Sequence, residues 1–373
     1  MINKPYKVYG ENHIDPKAMD QFYSAMEMEW AVQGAVMPDA HFGYSLPIGG
    51  VVATDGVIVP AWVGYDIGCG MCAYKTPFDV ADIYENRNEI FNQIYRDVPV
   101  GFKHNKRPAF NDLLFENGCT EWFIDMYREK GGAKQLGTLG GGNHFIEIGA
   151  DTENHVWIII HSGSRNVGHS TATHYMKVAS GTNKAKEGHF GLQIDKQAGS
   201  DYFMDMIFCL NFAQKNRDVI LDRVIGAIYH VTGKTTSWNP KEIINRTHNH
   251  ALFDLDTGLL VHRKGATHAE KGMLGIIPGN MRDGSFIVRG KGCSMALNSS
   301  SHGAGRVMSR KQARSDIFLQ EFHDQLYEVT AKVDATTIDE SPDAYKPIQQ
   351  VMDDQKDLVE IITHVTPIIN IKG

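Results

Sequence analysis

The sequence predicts an α+β fold, with mixed β-sheets flanked by helices in one large intertwined domain spanning residues 1–373. Three observations carry this. Short β-branched runs such as IGGVVAT (48–54) and VWIII (156–160) are mixed with helical stretches without a regular β-α alternation. One stretch, 200–232, keeps helical periodicity over an unusual length. No Pro-, Gly- or Ser-rich linker divides the chain and no internal repeat is visible, while 373 residues at 42% apolar content suffice for a large core.

In chain order, residues 17–33 read as an early helix. IGGVVAT and VIVPAWVGY (57–65) follow as β-rich runs punctuated by Gly and Pro. Helical patterns cover 80–97 and 110–129, and VWIII is a buried strand with His161 at its end. After the 200–232 helix come short strands near 259–263 and 285–289. A second long helix is expected to begin near Gly305, after the small-residue run SSSHGAG, and the chain closes on the strand-like TPIINIKG.

The formal net charge is −7, from 37 basic and 44 acidic residues, which argues against a general nucleic-acid coat. A local basic groove stays open, because basic residues gather at Arg263, Lys264, Lys271, Arg282, Arg289, Lys291, Arg306, Arg310 and Lys311. Five scattered cysteines are not a disulfide framework. The opening MINKPYKVYGENH lacks the apolar core of a signal peptide, and the apolar runs are too short to span a membrane. The expectation is a reduced, cytoplasmic protein with no membrane partner. Its 17 histidines say more than its bulk composition.

Five constellations carry chemistry. In VGYDIGCGM, Asp66 and Cys69 are spaced to reach one metal, and a thiolate can bridge two. Cys69-x-x-Cys72 reads equally as a redox pair or half a zinc site, and a free Cys as a small buried hydrophobe. In LGTLGGGNHFIEIG, three glycines let backbone approach a ligand beside Asn143 and His144. Their spacing does not fit a dinucleotide fingerprint. In IIIHSGSRNVGH, His161 ends a strand, and Ser162, Ser164 and Arg165 can hold phosphate. In NRTHNHA, His248 and Asn249 are imidazole-rich without zinc-finger spacing. In NSSSHGAGRVMSR, His302 sits where a helix should start, which favours phosphate, while a Ser-rich cap with a chance His is the plain alternative. Mixed O, N and S donors suit Zn, Mn or Fe. The residues alone therefore indicate a metal-dependent enzyme acting on phosphates.

DIGCGM, GTLGGGNHFIEI, HSGSR, RKGA, GIIPG-x-M, SFIVRG, SHGAGRVMSR and the terminal IKG resemble the RtcB family of RNA-splicing ligases, in order, from MPDAH at 37 to Lys372. The resemblance implies an RtcB-like fold. It also implies an RNA ligase that uses GTP and two Mn²⁺ to join 2′,3′-cyclic phosphate or 3′-phosphate RNA ends to 5′-hydroxyl ends, in RNA repair or tRNA splicing. By its motifs, Asp66, Cys69 and His144 would hold one ion, and Cys69, His161 and His248 the other. His302 would be guanylylated. Nucleotide contacts would come from Asn143, His144, Phe145, Ile146, Glu147, His248, Asn249, Pro278, Gly279, Asn280, Met281, Ser285, His302, Gly303, Ala304, Gly305 and Lys372. The apolar run before Lys372 should tuck that end into the site. Asn216-Arg217, in FAQKNRD, matches a further motif, and some relatives need a helper protein.

The chain departs from the family pattern at Ser45, where Gly is common, and at Asn280 and Arg282 in PGNMRDG, which suits a divergent paralogue. Two rivals stand beside the ligase: a metal-dependent RNA-end phosphoesterase and a non-catalytic RNA-binding protein. The phosphoesterase needs neither His302 nor Lys372, and a full set of metal ligands, with the acidic net charge, argues against the binding protein.

Overall fold

The computed structural model describes residues 3–109, 118–236 and 239–373. Among them, an eight-stranded sheet runs 274–278, 285–290, 359–372, 145–151, 156–162, 70–75, 244–247 along its main path, with the short strand 330–331 added on 359–372. It is antiparallel except for that last pair. A five-stranded sheet orders 6–8, 31–41, 48–54, 260–264, 249–253, with its first pair parallel. This is the mixed α+β architecture expected.

The large sheet separates its two faces by the two-residue period of a strand. Ile146, Ile148, Ile158 and Ile160 point to one face and pack with Ile220, Leu221, Val224 and Ile228 of the helix Gln197–Thr232. Phe145, Trp157 and Ile159 occupy the other face. His161, paired across from Phe145, shares that second face. The 36-residue helix is about 54 Å long and lies under the whole sheet end that carries the metal-type residues.

Asn216 and Arg217, both fully buried on this helix, tie three loops to it. Asn216 accepts from the Gly137 and Thr138 amides at 2.6 and 3.1 Å and donates to Thr138 O, Ser162 Oγ and Gly163 O. Arg217 donates to Gly68 O, Ser162 O and Asn245 Oδ1. The loops that carry Cys69, His144 and His161 are thus hung from two adjacent side chains.

Several expected elements come out differently. The early helix is Pro16–Met26, and Ala31–His41 is a strand, because pairing with 48–54 outweighs the helical bias of 27–33. Only Val57–Ile58 of VIVPAWVGY is extended, since Pro60 opens a helical turn, Pro60–Val63. The helices Val80–Glu85, Arg87–Asp97 and Glu121–Glu129 bear out 80–97 and the end of 110–129, while 110–117 lies outside the described residues. No long helix starts near Gly305: the next one is Arg310–Asp316, of seven residues. Gly305 has a left-handed φ of 75° and lies against the Asp39 carbonyl, where a Cβ would collide, so the chain turns instead of coiling. Among the described residues no helix is long and apolar enough to cross a membrane.

Asn216→Ala should lower stability by ~3 kcal/mol, because it strands several buried backbone groups. Urea unfolding checks this; a loss within ~0.5 kcal/mol would mean the loops hold without it.

Candidate metal centre and nucleotide pocket

Two groups of metal-type side chains form, Asp66–Cys69–His144 and Cys69–His161–His248, with the donor atoms of each within 4.8 Å of one another. Cys69 belongs to both. Its Sγ lies 3.2 Å from His144 Nε2 and 3.2 Å from His161 Nε2. His144 Nε2 is 3.0 Å from Asp66 Oδ2, and His161 Nε2 is 3.3 Å from His248 Nε2. The cysteine is placed by the turn before the strand Gly70–Lys75. Both strands paired with it deliver a histidine: His161 comes from 156–162, and His248 follows 244–247. His144 precedes the next strand over, 145–151.

The donor chemistry fits cations. His144 Nδ1 donates to Leu139 O at 2.9 Å and His161 Nδ1 to Asn143 O at 3.1 Å, since a carbonyl only accepts. In the neutral rings this leaves each Nε2 as a bare lone pair aimed at the shared space. His144 Nε2 then meets Asp66 Oδ2 lone pair to lone pair, and only a proton or a metal ion makes that contact attractive. Two donors on one tetrahedral ion stand about 3.5 Å apart, close to the spacing here. Burial pushes the Cys69 thiol well up, and the Asp66 carboxylate adds to it. Burial opposes ionisation of Asp66, yet the neighbouring His144 and the Arg165 guanidinium hold that carboxyl far below its usual range. Burial keeps His161 and His248 neutral, with neighbouring histidines acting the same way. Neutral imidazoles are the form that binds metal.

His302 stands beside this cluster, its ring centroid 4.8 Å from that of His248. Its Nδ1 donates to Asp39 Oδ2 at 2.7 Å, and the His302 and Gly303 amides donate to the same oxygen. Asp39 is fully buried; burial opposes its charge, but His302, His41 and Lys346 hold it ionised. Lys346 also clamps the Pro38 and Ala40 carbonyls, which fixes the strand end carrying Asp39. These amides serve Asp39, so the phosphate-binding helix start expected at His302 is absent. What replaces it is an imidazole oriented by a carboxylate, whose Nε2 makes no hydrogen bond among the described residues.

His302 lines a cavity of about 270 Å³ that also touches His161, Phe145, Glu147, Asn370 and Lys372. Register explains the grouping. Lys372 pairs with Phe145 and Asn370 with Glu147, so all four sit on the sheet face opposite the isoleucine core. Lys372 Nζ lies 5.0 Å from the Phe145 ring and 2.9 Å from Glu340 Oε2. Among the described residues, Glu147 Oε1 and Asn370 Oδ1 are buried without a hydrogen-bond partner, as polar atoms awaiting a ligand would be.

Asn143, Pro278, Gly279, Asn280, Gly303, Ala304 and Gly305 also line this cavity. Ile146 and Met281 do not: their side chains fill core clusters, Ile146 because it alternates with Phe145 and Glu147. Ser285 is buried near Glu147, and Asn249 braces the loop of Asp66 and Cys69 through Asp66 O while accepting from the Gly265 amide. The Ser162 and Ser164 hydroxyls turn inward to Leu139 O and Ile67 O, leaving Arg165 as the phosphate-type group of HSGSR. Cys72 faces the apolar core, which removes the Cys69–Cys72 pair. Arg263 and Lys264 are buried on Leu297 O and Ala61 O, so they are not part of an open basic groove. The sequence reading missed Asp39, His41, Tyr345 and Asn370, three of which line the cavity. For Asp39 and His41 the available signal was MPDAH, where a carboxylate and an imidazole follow a proline at a strand end.

The family profile described as "tRNA-splicing ligase RtcB" matches residues 21–125 and 115–373. The chain is 37% identical over 403 aligned positions to RNA-splicing ligase RtcB of Escherichia coli K12, covering 100% of this chain and 98% of that protein. This chain belongs to the RtcB family. It is also 30% identical to tRNA-splicing ligase RtcB of Nanoarchaeum equitans, over 91% of this chain and 87% of that one. Within the RtcB family its departures at 280–282 are locally self-sufficient. Asn280 Oδ1 accepts from the Arg282 and Asp283 amides, and the Arg282 guanidinium pairs with Asp283 at 2.7 Å.

Burial raises the Glu147 carboxyl from 4.5 to about 7, against the pull of Ser285, Lys372 and Asn370. The stability tied to its neutral form is therefore complete below pH 4.5 and lost as pH rises through about 7. Without ligands, the parent protein should lose on the order of 3 kcal/mol over that window relative to Glu147→Gln. Denaturant unfolding of both proteins from pH 4.5 to 7.5 checks this, and parallel curves would refute it.

Proposed function

We propose that this RtcB-family chain is an RNA ligase that joins 2′,3′-cyclic phosphate or 3′-phosphate ends to 5′-hydroxyl ends, using GTP and two Mn²⁺. The observation that carries the reading is His302: a carboxylate-oriented imidazole whose Nε2 makes no hydrogen bond among the described residues, between a two-group donor cluster and a cavity that carries Glu147, Asn370 and Lys372. When bound at Asp66, Cys69, His144, His161 and His248, the ions would neutralise phosphate charge and orient it for in-line attack.

His302 Nε2 attacks the α-phosphorus of GTP, an N–P bond forms, and pyrophosphate leaves. Asp39 holds the Nδ1 proton and offsets the positive charge the ring acquires. The cavity suits a purine whose edge offers N–H donors to Glu147 Oε1 and an acceptor to Lys372. GMP then passes from His302 to the RNA 3′-phosphate. The 5′-hydroxyl attacks that phosphorus and GMP is expelled. A cyclic phosphate is first opened by water. The same cavity weighs against a phosphoesterase, which has no use for a purine pocket or a GMP carrier.

Labelled GTP with Mn²⁺ should give a protein–GMP adduct lost in acid, kept in alkali, and absent from His302→Ala. That variant should still join RNA already carrying GMP on its 3′-phosphate. Phosphate release from RNA ends without an adduct would establish the phosphoesterase instead. An adduct that persists in His302→Ala would move the nucleophile elsewhere.

Metal analysis should find two divalent ions per chain after loading. Cys69→Ala should drop both the ion count and the adduct by at least about tenfold, because one sulfur serves both donor groups. An unchanged count would separate Cys69 from the centre.

A further inference from the structure

A cavity of about 370 Å³ stands apart from the site, walled by the helix Gln197–Thr232 and the strand Ile244–Thr247. It shares no lining residue with the His302 cavity, or with a larger one beside Asp66 that meets the His302 cavity at Asn143. Arg217, Arg246, Thr247, Asn211, Gln214 and His268 form its polar wall, and no carboxylate lines it.

This wall has hydrogen bonds left to give. Arg217 is fully buried, yet Nε and Nη1 bond only to uncharged oxygens, those of Asn245 Oδ1, Gly68 O and Ser162 O. Its Nη2 is buried without a hydrogen-bond partner among the described residues. Arg246 repeats the pattern, with Nε on Leu274 O and Nη1 on Asn245 O, again both uncharged. Thr247 adds a hydroxyl. His250 Nε2 accepts from Arg263 Nη1, so the neutral ring donates Nδ1–H to Thr247 Oγ1, and that hydroxyl keeps its own proton to give. The carboxylates next to these residues are engaged: Asp218 accepts from Asn245 Nδ2, and Glu270 from His268 Nδ1. A buried guanidinium without a charged partner is costly, and an anion in the cavity would offset that cost.

We propose that this cavity binds a phosphate group between Arg217 and Arg246. Tetrahedral phosphate offers separate oxygens to both guanidinium groups and to the Thr247 hydroxyl, whereas a planar carboxylate has two oxygens for three donors. The group comes either from free phosphate or from the backbone of an RNA chain. Its position gives it a consequence for the donor cluster. Arg217 Nη1 already holds Gly68 O and Ser162 O, each next to a donor residue, Cys69 and His161. Fixing the other end of that guanidinium stiffens both loops without touching the His302 cavity.

Inorganic phosphate and tungstate are the probes, used on the full chain. Tungstate, located by its anomalous scattering in crystals, should sit between Arg217 and Arg246. In calorimetric titration Arg246→Gln should weaken phosphate binding at this site about tenfold. Arg246→Lys, which keeps the charge, should retain most of the binding, and Arg165→Gln should leave this site unchanged. Phosphate should also slow amide exchange at 66–70 and 161–164 in the parent and not in Arg246→Gln. Tungstate found only beside Arg165, or equal phosphate binding in the parent and Arg246→Gln, overturns the site. RNA binding then separates the two sources. A salt slope lower by about 1 in Arg246→Gln assigns the phosphate to an RNA backbone. Unchanged RNA affinity, with phosphate binding lost, assigns it to free phosphate.

Discussion

Acceptor atoms from Asp66, Cys69, His144, His161 and His248 converge in a buried space, and the backbone has already taken the Nδ1 protons of two of the histidines. Such a cluster is unfavourable by itself, because lone pairs face one another with few protons to share. It persists only if the segments that carry it cannot relax apart. Asn216 and Arg217 prevent that relaxation by bonding to the turns at 68, 137–138 and 162–163 from one rigid helix. Stability and site geometry are therefore coupled: the polar bonds that fix the loops also hold the donors within 4.8 Å of one another in each group, a spacing that would suit a divalent cation.

The same economy shapes the cavity beside His302. An antiparallel sheet sorts residues by parity, so Phe145, Glu147, Asn370 and Lys372 share a face without any special motif. The opposite parity feeds the isoleucine core against the long helix. One register therefore sets both the packing and the pocket, and slipping it by one residue would bury Lys372 in the core and expose Ile371. His302 enters from outside this sheet and relies on Asp39, a residue 263 positions away in sequence, for its orientation.

Much of the site was legible in the amino-acid sequence. The donor residues were readable because short motifs set Asp, Cys or His among glycines or at a strand end, where side chains serve a site and not a core. The resemblance to the RtcB family then grouped them. Asp39 was harder to see because a single carboxylate in MPDAH has no local sign of its partner. The helix expected after Gly305 failed for a related reason: small residues and Ser suggest a cap, but the Asp39 carboxylate and carbonyl claim the space and the amides that a helix start would use.

Residue order alone was enough for the α+β class, the long helix at 200–232, the central strands and the candidate donor types, because periodicity and residue chemistry are local properties. Four outcomes needed the folded chain: which histidines share Cys69, which face Lys372 occupies, that Cys72 is core, and that two cavities meet at Asn143. They depend on strand register and on hydrogen bonds between residues far apart in the chain. Such contacts arise when the chain closes on itself, and no window of sequence contains both partners.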